Sequence, residues 1–152
     1  MREILFRGKV KNTNEWQYGD LRHWTKKSVG IHHQELHTTL RVIPETVGQY
    51  TGLTDKNGKK IFEGDIFKFN DEVWSSYYTS CGTEYDSWEV ENYGVVGFNE
   101  DLAKYDFVEY KFNENSVEAD LHENHDIEFA EFIGDLEVIG NIHDNPELLK
   151  EG

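Results

Sequence analysis

The chain has 152 residues, a formal net charge of −15 and a single cysteine. Its length predicts one domain, and an aromatic content of 14% predicts a folded protein despite the high charge. A lone cysteine excludes an intramolecular disulfide, which fits a reducing cytoplasm. No run approaches the ~18 apolar residues of a membrane helix, and the first residues lack the apolar core of a signal peptide. We therefore expect a cytoplasmic protein with no membrane partner.

The charge is divided unevenly along the chain. Residues 1–60 hold 11 Lys and Arg against 6 Asp and Glu, a net +5, whereas residues 61–152 hold 4 against 24, a net −20. Because an acidic surface repels polyanions, we expect no direct binding of DNA or RNA. The two oppositely charged parts can attract each other within one chain or between copies; the alternative is that each is only a solvated surface.

The first 45 residues predict a small β lobe. Residues 2–10 and 16–24 are rich in the aromatic and β-branched residues of strands, and residues 29–42 carry further short extended pieces. Pro44 predicts a single helical turn, because proline is tolerated at the first helical position.

The most strongly patterned stretch is residues 49–69, QYTGLTDKNGKKIFEGDIFKF. Asn57 and Gly58 tolerate the positive φ of a tight hairpin turn. Gly64 can take a backbone conformation closed to other residues, and Asp65 can accept hydrogen bonds from nearby backbone N–H groups. The stretch therefore predicts a hairpin turn, a second break and the start of a strand.

No catalytic constellation accompanies these residues. Glu63 and Asp65 are two carboxylates close in sequence, but no base, nucleophile or metal-ligand spacing goes with them, so a turn is favoured over a catalytic pair. Cys81 has no cationic sequence neighbour to lower its pKa, and we do not expect a nucleophile there.

Residues 71–93 are unusually aromatic and have poor periodicity, which predicts a long loop or a β-ribbon inserted into the core. Tyrosine and tryptophan dominate binding hot spots because they bury large areas and keep a polar group. Rings packed back onto the protein's own sheet are the alternative, and the acidic neighbours argue against base stacking. The candidate interaction residues are Trp74, Tyr77, Tyr78, Tyr85 and Trp88.

The remaining elements complete a mainly β chain. Residues 94–98, 106–112 and 136–142 have the composition of strands, and Pro146 starts a short helical cap. Residues 113–128 are polar and acidic, which indicates a solvated loop or a frayed helix.

Histidines raise the question of a metal site. The first group lacks a cysteine pair and matches no closed zinc spacing, and the second lies among carboxylates that do not form a twelve-residue calcium loop. We therefore expect neither a metal nor a cofactor. The two groups are His23, His32, His33 and His37, and His122 and His125.

Three blocks of the chain resemble the YopX family of phage and prophage proteins. The longest is VIPETVGQYTGLTDKNGKKIFEGDIF at residues 42–67; REILFRG at 2–8 and EVIGNIHDNPELL at 137–149 frame it. Residues 71–92 show no such match. The resemblance implies a small, largely β protein with an SH3-like barrel as its core, and it implies no catalytic site.

On this basis we expect a mainly β fold with little helix in a single domain, residues 1–152. Residues 1–45 are the N-terminal β lobe, and residues 46–152 are the SH3-like barrel, which carries the aromatic insertion at 71–93.

The leading functional hypothesis is a phage-encoded protein that binds without catalysis in the cytoplasm of the bacterial host. Its partner is a protein, further copies of itself, or both. Edge strands and opposite charges in the two halves favour a homo-oligomer.

Two alternatives stay open. An acidic face that imitates the phosphate backbone can inhibit a host nucleic-acid enzyme, which requires an evenly spaced array of carboxylates on one surface. A metal-dependent enzyme that uses His122 and His125 is the weakest reading.

Overall fold

The computed structural model describes residues 3–25, 27–111 and 136–150. Within them most residues lie in β-strands, and no helix there is long and apolar enough to cross a membrane. In chain order the strands are β1 (Phe6–Lys9), β2 (Trp16–Thr25), β3 (Ser28–His33), β4 (Thr38–Val42), β5 (Gly48–Thr54), β6 (Lys60–Phe62), β7 (Asp65–Thr79), β8 (Gly82–Asn99), β9 (Lys104–Lys111) and β10 (Glu137–Asn141), with 3-10 helices at Pro44–Thr46 and Pro146–Leu149.

The strands form two antiparallel sheets. The first has the order β4-β3-β2-β1-β5-β6 and the second the order β10-β7-β8-β9. The prediction of a mainly β fold with little helix is confirmed. The two sheets are open rather than one closed barrel in the described part of the chain, because the end strands of each sheet do not pair with one another there.

The changeover between the sheets lies at the Glu63–Gly64 turn, later than the division after residue 45 that the sequence suggested. The reason is that β5 leaves the 3-10 helix and pairs with β1, which keeps β5 and β6 in the first sheet. Gly64 has a φ of +83°. Its N–H donates to the Val96 carbonyl at 2.8 Å, and its own carbonyl accepts from Ile142 N at 2.9 Å. Strand β8 and the residue that follows β10 therefore hold this turn.

Two apolar clusters fill the interior. One joins the sheets, because Ile61 of β6 packs with residues of the second sheet, and the other lies under β3 and β4 of the first sheet. The buried members of the first are Ile61, Phe67, Val96, Phe107 and Val138; those of the second are Val29, Ile31 and Val42.

The Asn57–Gly58 hairpin turn connects β5 to β6, and its central carboxylate is Asp55. Gly58 has a φ of +78°. Asp55 Oδ1 accepts from the backbone N–H groups of Asn57 and Lys59, both at 2.9 Å, while Oδ2 accepts from Val138 N at 3.2 Å. One buried side chain thus closes the turn and ties it to β10.

A buried ion pair connects the first strand of one sheet to the first strand of the other. Arg7 Nη1 of β1 lies 2.7 Å from Asp65 Oδ1 of β7, and both side chains are almost fully buried. Arg7 Nη2 donates to the Glu63 carbonyl at 3.0 Å, and Asp65 Oδ2 accepts from Phe62 N at 2.8 Å. Burial raises the pKa of Asp65, and the charge of Arg7 partly offsets the effect.

We expect Arg7→Met to lower the free energy of unfolding by about 3–5 kcal/mol, because it leaves the Asp65 carboxylate buried without its countercharge. Urea denaturation measures the change. The matched control is Lys56→Met, which removes an exposed ion pair with Glu137 and is expected to cost about 0–1 kcal/mol. If R7M lowered the free energy of unfolding by no more than the control does, the role given to the buried pair would be contradicted. Arg7→Lys keeps the charge and provides a milder variant for the same comparison.

Candidate functional site

Strands β7 and β8 form a hairpin that extends well beyond the second sheet. They pair continuously from Ile66 opposite Val95 to Thr79 opposite Gly82. Among the described residues, β10 pairs with β7 only as far as Lys68, and β9 pairs with β8 only from Tyr93 onward. The outer part, residues 70–79 and 82–91, is therefore a two-stranded ribbon roughly 30 Å long. The insertion predicted at residues 71–93 is this ribbon.

The aromatic side chains of the ribbon are exposed. Tyr78 and Tyr85 are 90% and 69% accessible, and Tyr77 and Trp88 are 48% and 38% accessible. Rings that packed back onto the protein's own sheet would be buried, so these four are available for contacts. Trp74 pairs with Ser87 in the register, and its side chain lies outside the described part.

The pairing register distributes the exposed rings over both faces of the ribbon. Tyr78 lies opposite Thr83, and Ser76 lies opposite Tyr85, so the two tyrosines are diagonal neighbours on one face. Tyr77 and Trp88 occupy the other face, where the Tyr77 hydroxyl donates to Glu84 Oε2 at 3.3 Å. The sequence predicted five interaction residues in one segment; the structure does not bring them into one patch.

The ribbon is also strongly acidic. Residues 69–93 contain six Asp and Glu and no Lys or Arg. At its root, Lys68 forms an ion pair with Glu91, and Tyr93 donates to Glu91 Oε1 at 2.7 Å. The hydrogen bond from Lys68, and to a smaller extent the one from Tyr93, lower the pKa of Glu91. Among the described residues, no Lys or Arg forms an ion pair with Glu84, Asp86 or Glu89.

A second polar cluster lies beside the buried Arg7–Asp65 pair. Asp144, in the turn after β10, pairs with Lys9 and accepts from Trp16 Nε1 at 2.7 Å and Asn141 Nδ2 at 2.8 Å. Burial raises the pKa of Asp144, but the hydrogen bonds from Asn141, Lys9 and Trp16 outweigh it and lower the value to about 2.

The aromatic groups of this cluster surround the cations. The Arg7 guanidinium lies 4.7 Å from the Trp16 ring centre and 4.9 Å from that of Phe62. His143 lies 5.9 Å from Trp16, and its pKa is lowered by burial and by the charges of Arg7 and Lys9. The cluster is built from residues that are already paired, so it connects the chain ends and serves as a structural junction.

The remaining sequence candidates do not converge. In the part of the chain that the structure covers, no three His, Cys, Asp or Glu side chains lie close enough to hold a metal ion. His32 Nδ1 lies 2.9 Å from Thr39 Oγ1, and Glu63 Oε2 accepts from Gln49 N at 2.7 Å. His122 and His125 lie outside the described residues. Cys81 is exposed in the turn at the ribbon tip.

The junction brings together the three sequence blocks noted above. Arg7 and Lys9 come from the start of the chain, Glu63 and Asp65 from the middle, and Asp144 from the end. The model of one protein family, described as YopX protein, matches residues 5–150. The chain belongs to the YopX family. No curated protein matches it.

Sequence reasoning missed the charged members of this YopX-family junction. Arg7 and Lys9 alternate with apolar positions in a predicted strand, a pattern that normally places charges in solvent. The available signal was the position of Arg7 in the first block of the resemblance and of Lys9 directly after it, together with acidic residues in the other two blocks.

We expect Asp144→Asn to destabilise the YopX-family chain at pH 7 and to have little effect near pH 2. The folded pKa of Asp144 lies below its ordinary 3.8, so its stabilising contribution is complete above about 4 and is lost as the pH falls toward 2. At pH 7 the midpoint of thermal unfolding should fall by roughly 2–4 °C, the shift that about 1 kcal/mol causes at this chain length.

Thermal melts of the wild-type and D144N proteins between pH 7 and pH 2 measure the difference between their midpoints. Titration of the other carboxylates affects both proteins and therefore cancels in that difference. Asp101→Asn, on an exposed turn, is the control for the loss of one carboxylate and should lower the midpoint at pH 7 by less than Asp144→Asn does. A D144N difference that stayed constant with pH would contradict the assignment.

Proposed function

We propose that this protein is a phage- or prophage-encoded binding protein that acts without catalysis in the bacterial cytoplasm. In this proposal it engages a protein partner through the ribbon. The observation that carries the proposal is the pair Tyr78 and Tyr85, which are exposed neighbours on one ribbon face. Exposed tyrosines of this kind are typical of binding hot spots, because they lose little conformational entropy when they bury a large area.

The packed root of the ribbon supports a binding role for the two tyrosines, because it anchors the strands that carry them. Val90 is buried where the ribbon joins the sheet, and the Phe69 ring stacks on Phe107 with 6.0 Å between their centres. A hairpin fixed at its base presents its tip in few orientations, which reduces the entropy lost on binding. We also infer that the second sheet corresponds to the SH3-like core that the resemblance implies.

The nucleic-acid mimic is the second candidate, and the ribbon gives it limited support. Its carboxylates are numerous, but Glu84 and Asp86 lie on the face opposite that of Glu89 and Glu91. A phosphate mimic needs its charges along one surface. The acidic ribbon therefore fits a protein contact that combines aromatic and charged groups better than an imitation of one nucleic-acid strand.

We expect the tagged protein to capture one protein from lysate of a host that carries such a prophage, and Tyr78→Ser/Tyr85→Ser to reduce the recovery at least tenfold. Losing two hot-spot rings typically costs more than about 2 kcal/mol, which is beyond a tenfold change. Mass spectrometry after a moderate-salt wash identifies and quantifies the prey.

Leu36→Ser/Leu102→Ser is the matched control, because it removes two apolar side chains that are 69% and 60% accessible and lie away from the ribbon. If both variants captured equally reduced amounts of the prey protein, or if the tyrosine variant captured as much as the wild type, the proposed site would be overturned. A nucleic-acid enzyme as prey, held equally by both variants, would favour the mimic.

A further inference from the structure

The outward face of the first sheet carries an exposed tryptophan between two arginines. Arg22 of β2 and Arg41 of β4 both lie opposite Gly30 of the intervening strand β3, so the three share one face. The Trp24 ring lies over Gly30, since a Cβ there would meet Trp24 Cη2 at 2.7 Å. Arg41 Cζ is 5.6 Å from the centre of that ring. We name Arg22, Trp24 and Arg41 the arginine–tryptophan face.

The positive charge of this face is not neutralised within the described residues. Neither Arg22 nor Arg41 forms an ion pair there, and both side chains are exposed. The nearby carboxylate of Asp20 is held by Gln34 Nε2, at 3.1 and 3.2 Å from its two oxygens. Guanidinium groups beside an aromatic ring suit carboxylates and aromatic side chains, because arginine binds the former in a planar fork and stacks on the latter.

The ribbon offers that chemistry in the same molecule. Glu84 and Asp86 lie two residues apart on one face of β8, with exposed Trp88 next along the strand. The backbones of Glu84 and Asp86 are about 7 Å apart, while those of Arg22 and Arg41, which are separated by one strand, are about 10 Å apart. The long arginine side chains span that difference. A nucleic-acid strand is the poorer occupant, because the whole protein carries a charge of −15.

We propose that the arginine–tryptophan face binds the Glu84–Asp86–Trp88 face of the ribbon of a second copy of this chain. Both surfaces are exposed on a single copy, so one chain does not satisfy them itself. The interface is heterologous, since each copy offers one face of each kind, and it builds rings or open chains. The inference goes beyond the proposed function, gives a surface for the homo-oligomer expected from the sequence, and leaves the Tyr78–Tyr85 face free for another protein.

Charge reversal on either face tests this directly. Sedimentation velocity of the wild-type chain should show assemblies that grow with concentration and dissociate as salt is raised. Arg22→Glu/Arg41→Glu and Glu84→Lys/Asp86→Lys should each weaken self-association at least about tenfold, because each places like charges in contact. An equimolar mixture of the two variants should associate again, beginning with a heterodimer, because the intact ribbon of R22E/R41E meets the intact arginine–tryptophan face of E84K/D86K and the two reversed faces are also opposite in charge.

Lys56→Glu/Lys59→Glu is the control, because it makes the same change of net charge in the turn before β6, at the opposite edge of the sheet from β4. It should assemble more readily than R22E/R41E. A wild-type chain that stays monomeric at its highest soluble concentration, a control as monomeric as R22E/R41E, or a mixture without heterodimer would each overturn the inference. None of these results bears on the Tyr78→Ser/Tyr85→Ser capture, which tests the proposed function separately.

Discussion

The buried pair of Arg7 and Asp65 is the contact on which the arrangement of the two sheets depends. Removing two charges from water costs several kcal/mol per ion, so such a pair is tolerated only when its remaining hydrogen-bonding groups are used. Here the carboxylate also accepts from Phe62 N, and the guanidinium donates to the Glu63 carbonyl and lies over the rings of Trp16 and Phe62. Only Arg7 Nε lacks a partner among the buried side-chain atoms of the described residues. Apolar packing between Ile61 and Phe67 tolerates small shifts, whereas these directional bonds permit one relative position of β1 and β7.

That position also sets the direction of the ribbon. Asp65 is the first residue of β7, and the ribbon is the continuation of β7 and β8 beyond the sheet. Between Val90 and the ribbon tip, the two described strands have few buried apolar residues. Most of their stability therefore derives from the hydrogen bonds between them and from the packed root. A two-stranded hairpin is only marginally stable by itself. The junction and the ribbon are therefore coupled: the network around Arg7 holds the base, and the base supports the exposed tyrosines.

Much of the local structure was accessible from the sequence, because short-range signals determine it. Strand composition located β2 and β7, Asn57–Gly58 marked the hairpin turn, and Pro44 marked a single helical turn. The sheet arrangement was less accessible, since the pairing of β1 with β5 joins Phe6 to Gln49 and depends on long-range contacts. Alternating charges in a strand ordinarily indicate a solvated face, and here the partners that bury Arg7 and Lys9 lie 58 and 135 residues away. The exposure of the ribbon rings likewise depends on what packs nearby in three dimensions.

The junction and the ribbon occupy different parts of the sequence and are constrained in different ways. The junction is assembled from side chains near the start, the middle and the end of the chain, whereas the ribbon is one continuous hairpin. A junction of buried ions is intolerant of substitution, because each lost partner leaves a buried charge unpaired. The exposed side chains of a two-stranded ribbon are constrained mainly by strand propensity and cross-strand pairing. We therefore expect substitutions of exposed ribbon side chains to leave the two sheets intact, whereas substitution of a junction residue disturbs the contact between them.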